Sequence, residues 1–223
     1  MEEMSSAMTK PKSPKREYDS TRRQAQANET RRHILEAARK LFMERGYTGA
    51  TTEAIAAEAG VAAQTIYAIF KNKKKILVSL MNVSPTTGVE DHTPMVERPT
   101  VQAVSQEYNQ RRQLQMFAEV VANNLDQVAV VSEIMNDAAK VEPDFDRILQ
   151  KLNKQRLEHM TFAVQQFAAN GSFRENMDEV YARDTVWTLT SPDVFLLLTR
   201  ERGWSKEKYT EWLADMLTRA LLP

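Results

Sequence analysis

Apolar positions recur along this chain at the spacing of helices, and no stretch alternates for long enough to be a strand. Ile34, Leu35, Ala38, Leu41 and Phe42 form one stripe, which predicts a first helix over about 28–45 ended by Gly46. Thr51 is a suitable N-cap for a second helix, with Glu53 at the positive end of its dipole and Ile55, Ala56 and Ala59 inward. Gly60 allows a left-handed turn without steric penalty. A third helix over about 62–70 then buries Val61, Ile66 and Phe70. Lys71, Asn72, Lys73, Lys74 and Lys75 follow, and Ile76, Leu77, Leu80 and Met81 open a fourth helix.

Residues 84–99 carry Pro85, Gly88, Pro94 and Pro99 and read as a flexible linker or loop. Beyond it, Leu114, Phe117, Ala118, Val121, Leu125 and Val128 make one stripe, and Val131, Ile134, Met135 and Ala138 another. A long helix starts at Pro143 and carries Phe145, Ile148, Leu149, Leu152, Met160, Ala163, Val164 and Phe167 to Gly171. The next begins near Met177, breaks at Thr190, and restarts with Ser191 as N-cap and Pro192 in the first turn. Gly203 stops that piece and Ser205 caps the last helix. The pattern specifies an all-α chain. A three-helix helix-turn-helix unit over 28–78 precedes a larger helical domain over 79–223. Residues 1–27 lack an apolar face and read as a disordered basic arm bearing Lys10, Lys12, Lys15, Arg16, Arg22 and Arg23. It is either a solubilising tail or an arm that tracks phosphates or enters a minor groove.

Charge divides the same way. Residues 1–78 hold 15 Lys+Arg against 9 Asp+Glu, and residues 79–223 hold 15 against 21, so the chain's formal net charge of zero hides a basic part and an acidic part. A polyanion partner is expected for the first part only. There is no cysteine, which excludes a disulfide scaffold, a zinc finger and a thiol nucleophile. No secretory h-region and no apolar run of membrane-spanning length occur, so a cytoplasmic protein without a membrane partner is expected. His33, His92 and His159 make no metal-spaced pair. Glu142, Asp144 and Asp146 read as charges favourable to a helix start. The six glycines form no phosphate-cradling loop. No enzyme, metal or cofactor is expected.

On the third helix, Ala63, Gln64 and Thr65 are placed to face bases. Gln64 can take an adenine edge and the Thr65 methyl a thymine methyl. Tyr67, Lys71 and Lys73, with Thr51 at the second helix start, suit phosphates. Spacing alone leaves a DNA reader and a plain three-helix fold both open. The run Arg32, Ile34, Leu35, Ala37, Ala38, Leu41, Phe42, Gly46 and Tyr47 resembles the DNA-binding domain of the TetR family of transcriptional regulators. The resemblance continues through Thr51, Ile55, Ala56, Ala59, Gly60, Val61, Thr65, Ile66 and Tyr67 to Phe70, Lys71, Lys73 and Leu77. It implies two domains, a homodimer on a palindromic operator, and a pocket in the C-terminal helices whose small, hydrophobic or amphipathic ligand moves the two readers apart. It also implies backbone contacts from Thr51, Tyr67 and Lys73 and base contacts from Ala63, Gln64 and Thr65. Ala68 and Ile69 depart from the aromatic residues or histidine of many members, and the fourth helix loses its apolar pattern early. The tail from Thr190 to Leu222 is similar to one subgroup in which a tryptophan follows Arg–Gly.

In the last helix, Tyr209, Trp212, Leu213, Met216, Leu217 and Leu221 are expected to form a dimer interface, the alternative being packing within the subunit. Met116, Phe117, Met135, Phe145, Met160, Phe167 and Trp187 suit a hydrophobic ligand pocket, or plain core. Arg156 lies within the apolar stripe of the long helix. It needs either an internal ion pair, with Glu119 or Asp184, or an anionic ligand. The expected function is a ligand-responsive DNA-binding regulator, a repressor released by a small molecule. The alternative is a helical module that binds small molecules or proteins without an operator.

Overall fold

The computed structural model describes residues 14–83 and 90–223, with side chains from residue 22 onward. Among the described residues there are ten α-helices and no strand; Val83 and Glu90 make one isolated antiparallel bridge. The N-terminal elements are the long α1 (Pro14–Gly49) and three short helices, α2 (Thr52–Glu58), α3 (Ala63–Phe70) and α4 (Lys73–Leu80). A larger body follows in α5 (Pro99–Gln106), α6 (Gln110–Ala139), α7 (Asp144–Ala169), α8 (Glu179–Leu189), α9 (Pro192–Leu196) and α10 (Lys206–Leu221).

Most boundaries have a local cause. α1 loses helical geometry at Gly46, where φ is 65° and ψ is 177°. Asn72, Asn109, Asp178, Ser191 and Ser205 each accept an amide N–H at a helix start. Ser191 and Ser205 are the caps expected there, and Pro192 and Pro99 occupy first-turn positions. α9 widens into a π turn over Leu197–Glu201 before Gly203, at φ 65°, closes it. The two stripes expected over 114–128 and 131–138 belong to one helix, α6, about 45 Å long at 1.5 Å per residue.

Two expectations change. The sequence pattern places residues 14–27 in a disordered arm, yet α1 starts at Pro14. They have no apolar face, but Lys, Arg, Glu, Gln and Ala, all good helix formers, make up most of them, and they continue a helix already nucleated by packing, where propagation is far easier than nucleation. Gln24 with Asn28 and Thr30 with the Gln26 carbonyl add exposed contacts one turn apart. Residues 1–13 of that arm lie outside the described residues. Of the linker read over 84–99, residues 84–89 lie outside them too. At the start of residues 90–98, Glu90 pairs with Arg31 of α1, whose guanidinium lies 4.2 Å from the Phe70 ring.

The buried apolar residues form two cores. One joins Ile34, Leu35, Leu41, Phe42, Ile55, Ile66, Phe70, Ile76 and Leu77 of the N-terminal helices to Val131, Ile134, Met135 and Ala138 of α6 and Phe145 of α7. The other joins the first half of α6 and the second half of α7 to α5, α8, α9 and α10, around Leu114, Phe117, Phe167, Val186 and Tyr209. The two long helices run through both.

Candidate nucleic-acid interface

The turn between α2 and α3 is built to hold α3 in one direction. Val61 N donates to Ala56 O at 3.0 Å and Gly60 N to Ala57 O at 3.2 Å, so Gly60 (φ 67°) closes a Schellman motif. α3 then buries Ile66 and Phe70 in the core it shares with α1, α2 and α4, which leaves the opposite side outward. Gln64, Tyr67 and Ala68 are exposed there, and Ala63 and Thr65 are half-buried. Thr51 is exposed and caps α2, its hydroxyl accepting from Ala54 N at 3.1 Å. Tyr67 donates to Glu53 at 3.4 Å, which ties α3 to the start of α2. Ala63, Gln64, Thr65, Tyr67 and Thr51 thus stand on one side of the N-terminal unit.

The lysines after α3 differ from one another. Lys71 is exposed at the C-cap of α3 with φ 66°, a left-handed conformation that a side chain disfavours. Its N–H donates to Tyr67 O at 3.0 Å, so the strain closes α3 and aims Lys71 beside its outer face. Lys73 turns inward. Its ammonium donates to Tyr47 O at 2.7 Å and sits 4.1 Å from the Tyr47 ring, and burial holds its pKa below the ordinary lysine value. Lys74 is taken by Asp144 at 2.8 Å and Glu142 at 3.4 Å. Lys71 and Lys75 make no ion pair among the described residues. Lys71 and Lys73, expected to act alike, therefore sit in different surroundings.

The residues that join this unit to the body went unnoticed in the sequence. Tyr47 donates to Glu142 at 2.9 Å and meets Phe145 edge-on at 5.1 Å. Arg39 donates to Gln127 O at 2.7 Å. Asp144 does stand in the first turn of α7, as expected of a helix-start charge, but it and Glu142 also hold Lys74. The only sequence signal was the acidic pair beside Pro143, which a helix start explains equally well.

The expected pocket residues do not converge. Met135 and Phe145 belong to the first core, while Phe117, Met160 and Phe167 belong to the second, with Met116 and Trp187 against its edge. Phe145 and Phe167 are 22 residues apart on α7, about 33 Å along its axis. Periodicity shows a shared face but not how far apart along it two residues lie. Arg156 makes neither expected ion pair. Its Nη2 donates to Trp187 O and, at 3.2 Å, to Thr190 Oγ1, and its guanidinium lies 3.9 Å from the Trp187 ring. It thus serves the Trp187 carbonyl in the last turn of α8, where a cation is favoured by the helix dipole. Burial pushes its pKa down to about 10, with Asp193 opposing, so it stays charged at neutral pH.

The dimer expectation is also redrawn. Tyr209, Leu213, Leu217 and Leu221 are 0% exposed within the subunit itself. The stripe was wide enough to hold two rows; this inner one packs on α6 and α8, and only Trp212 and Met216 of the predicted set keep exposed surface. Among the described residues no cluster of His, Asp or Glu could hold a metal, and no helix is long and apolar enough to cross a membrane.

Residues 34–80 match the family model of bacterial regulatory proteins of the tetR family. The chain is 28% identical over 140 residues to the HTH-type transcriptional regulator SrpR of Pseudomonas putida, covering 58% of this chain and 61% of that protein. It is 40% identical over 53 residues to the HTH-type transcriptional regulator YvkB of Bacillus subtilis (strain 168), covering 24% of this chain and 28% of the relative. The crystal structure of the transcriptional regulator FadR from Bacillus subtilis in complex with stearoyl-CoA superposes with a TM-score of 0.62 at 20% identity, covering 83% of this chain and 96% of that one. That likeness shows the fold alone. The family match thus covers the helix-turn-helix segment, and the solved structure shares the all-helical frame that carries it.

Proposed function

We propose that the chain is a DNA-binding transcriptional regulator, a repressor that binds a palindromic operator as a homodimer and is released by a small molecule. The observation that carries this reading is the outer face of α3. Gln64, Tyr67 and Thr65 stand on a helix fixed by the α2–α3 turn, with Thr51 and Lys71 beside them. Gln64 and Thr65, with the Ala63 methyl, read base edges; Thr51, Tyr67 and Lys71 hold phosphates, while Lys73, expected to do the same, braces Tyr47 instead. The DNA-binding unit spans residues 28–78 and the regulatory and dimerising part residues 79–223. The dimer face lies on the outer row of α10, with Trp212 and Met216, rather than on the row already buried. The related FadR of Bacillus subtilis was crystallised with stearoyl-CoA, which supports a small-molecule effector here. We take the protein to be cytoplasmic and not an enzyme.

Selection of duplexes from a random pool, followed by titration at several salt concentrations, tests this. A palindrome is expected to emerge. Gln64→Ala should lose about 1–3 kcal/mol of discrimination at one position per half-site. Lys71→Ala should weaken all sequences alike and lower the salt slope by about one. A reader insensitive to both changes is not built on α3.

A further inference from the structure

A groove of about 500 Å³ runs between α7 and α8, lined by Asn153, Lys154 and Leu157 on one side and Arg183, Asp184 and Trp187 on the other. Only Trp187 of these was expected at a ligand site. The groove has an apolar part and a charged part. Leu157 is 37% exposed, and the half-buried Trp187 lines the same groove from the other helix. Lys154 makes no ion pair among the described residues, although Glu158 lies one helical turn away on α7. Arg183 pairs at 2.8 Å with its neighbour Asp184, whose carboxylate is still 59% exposed. Two cations therefore face one anion across an open apolar floor.

The floor is fixed from behind. Arg156 packs its guanidinium against the Trp187 ring at 3.9 Å and donates to the same residue's carbonyl. Trp187 is thereby held in place, and a third positive charge lies under it with no carboxylate in ion-pair contact among the described residues. An uncharged apolar ligand would leave this charge excess unanswered, and a small inorganic anion would leave Leu157 and the indole exposed to water.

We propose that the α7–α8 groove binds a small amphipathic carboxylate, its apolar part against Leu157 and Trp187 and its carboxylate on Lys154 and Arg183. Arg156 acts as a positioning residue for Trp187. The proposal rests on the regulator reading only in taking this ligand to be the effector.

The full-length protein should be titrated with 2-naphthoate, following tryptophan fluorescence, with uncharged 2-naphthylmethanol as the comparison. Saturable quenching is expected with the acid, at least about tenfold tighter than with the alcohol. Trp187→Phe should remove most of the signal, leaving Trp204 and Trp212 silent. Lys154→Ala, a change at an exposed side chain, should weaken binding about tenfold, and Leu157→Glu should abolish it. Arg156→Met should weaken binding and Arg156→Lys restore part of it, since a lysine keeps the cation under the ring. Equal affinity for acid and alcohol, equal affinity in wild type and Lys154→Ala, or no saturable response overturns the groove. Selection of a palindrome by a protein that ignores 2-naphthoate removes the groove and leaves the regulator. Saturable, Lys154-dependent binding by a protein that selects no DNA keeps the groove and removes the regulator.

Discussion

Around Phe145 and around Phe167, at opposite ends of α7, the chain closes its two cores by different means. The core around Phe145 joins the reader to the body, and its rim is made of side chains with charge: Tyr47 on Glu142, Lys74 on Asp144, Lys73 on the Tyr47 carbonyl. The core around Phe167 is tied by amide side chains that hold backbone groups. Gln110 donates to Phe167 O at 3.0 Å and Gly171 O at 2.8 Å, and Asn170 donates to Glu107 O at 2.8 Å. Gln113, fully buried, donates to Val104 O at 3.0 Å and accepts from Asn170 at 3.0 Å. Among the second kind, the Gln113 link to Val104 O is fully buried, and breaking it leaves a buried polar group alone. Those of the first kind are partly exposed, so water can replace each partner at small cost. A movable joint, which the proposed ligand response needs, is suited by the first kind, and a rigid frame by the second.

The largest expected effects test whether the two cores are equivalent in packing. Phe145→Ala and Phe167→Ala each remove a ring that is 0% exposed, next to Tyr47 and Phe117 respectively. Each should lose about 3–5 kcal/mol of unfolding free energy in denaturant titrations. If Phe145→Ala costs much less, the reader is not packed onto α7 as the fold requires.

Next comes the amide network. Gln113→Ala strands Val104 O and one Asn170 hydrogen-bond donor, and should cost about 1–3 kcal/mol by the same titration. A neutral outcome would mean that water fills the gap and that the second core is as yielding as the first.

The smallest effect is at the joint. Tyr47→Phe keeps the ring and loses the bond to the partly exposed Glu142, at a cost of about 1 kcal/mol. Its pH dependence sharpens the assignment. Burial first, then the Glu142 hydrogen bond and charge, raise the Tyr47 phenol above its ordinary pKa. The advantage of tyrosine over phenylalanine is therefore full below pH about 10 and lost as the pH rises above it, because the unfolded chain ionises first. Paired stability curves of the two proteins from pH 8 to 11 measure it. A constant difference across that range would show that Tyr47 is not held as described.

Most of the helices and several of their stops were legible in the sequence, because caps, glycines and 3.6-residue periodicity act between near neighbours. Gly60 predicted the turn that aims α3, and Ser191 and Ser205 predicted two helix starts. Gln64 and Thr65 were identifiable as residues a short helix could present, and α3 does turn Gln64 outward. What failed were statements about which faces meet. The row Tyr209–Leu213–Leu217–Leu221 and the row Trp212–Met216 look alike as a pattern, yet only the first is covered by α6 and α8.

The sequence by itself determined the helical class, the helix-turn-helix and the separation of basic from acidic halves, all set by residue type and short-range spacing. Tertiary structure alone decided three things. It tied Lys73 and Lys74 to Tyr47, Glu142 and Asp144 while leaving Lys71 outward. It placed Arg156 on the end of α8 instead of against a carboxylate. It also split the apolar side chains of α6 and α7 between two cores. Each depends on which distant segments are brought together, and a helix's own periodicity records that it has a buried face without recording what lies against it.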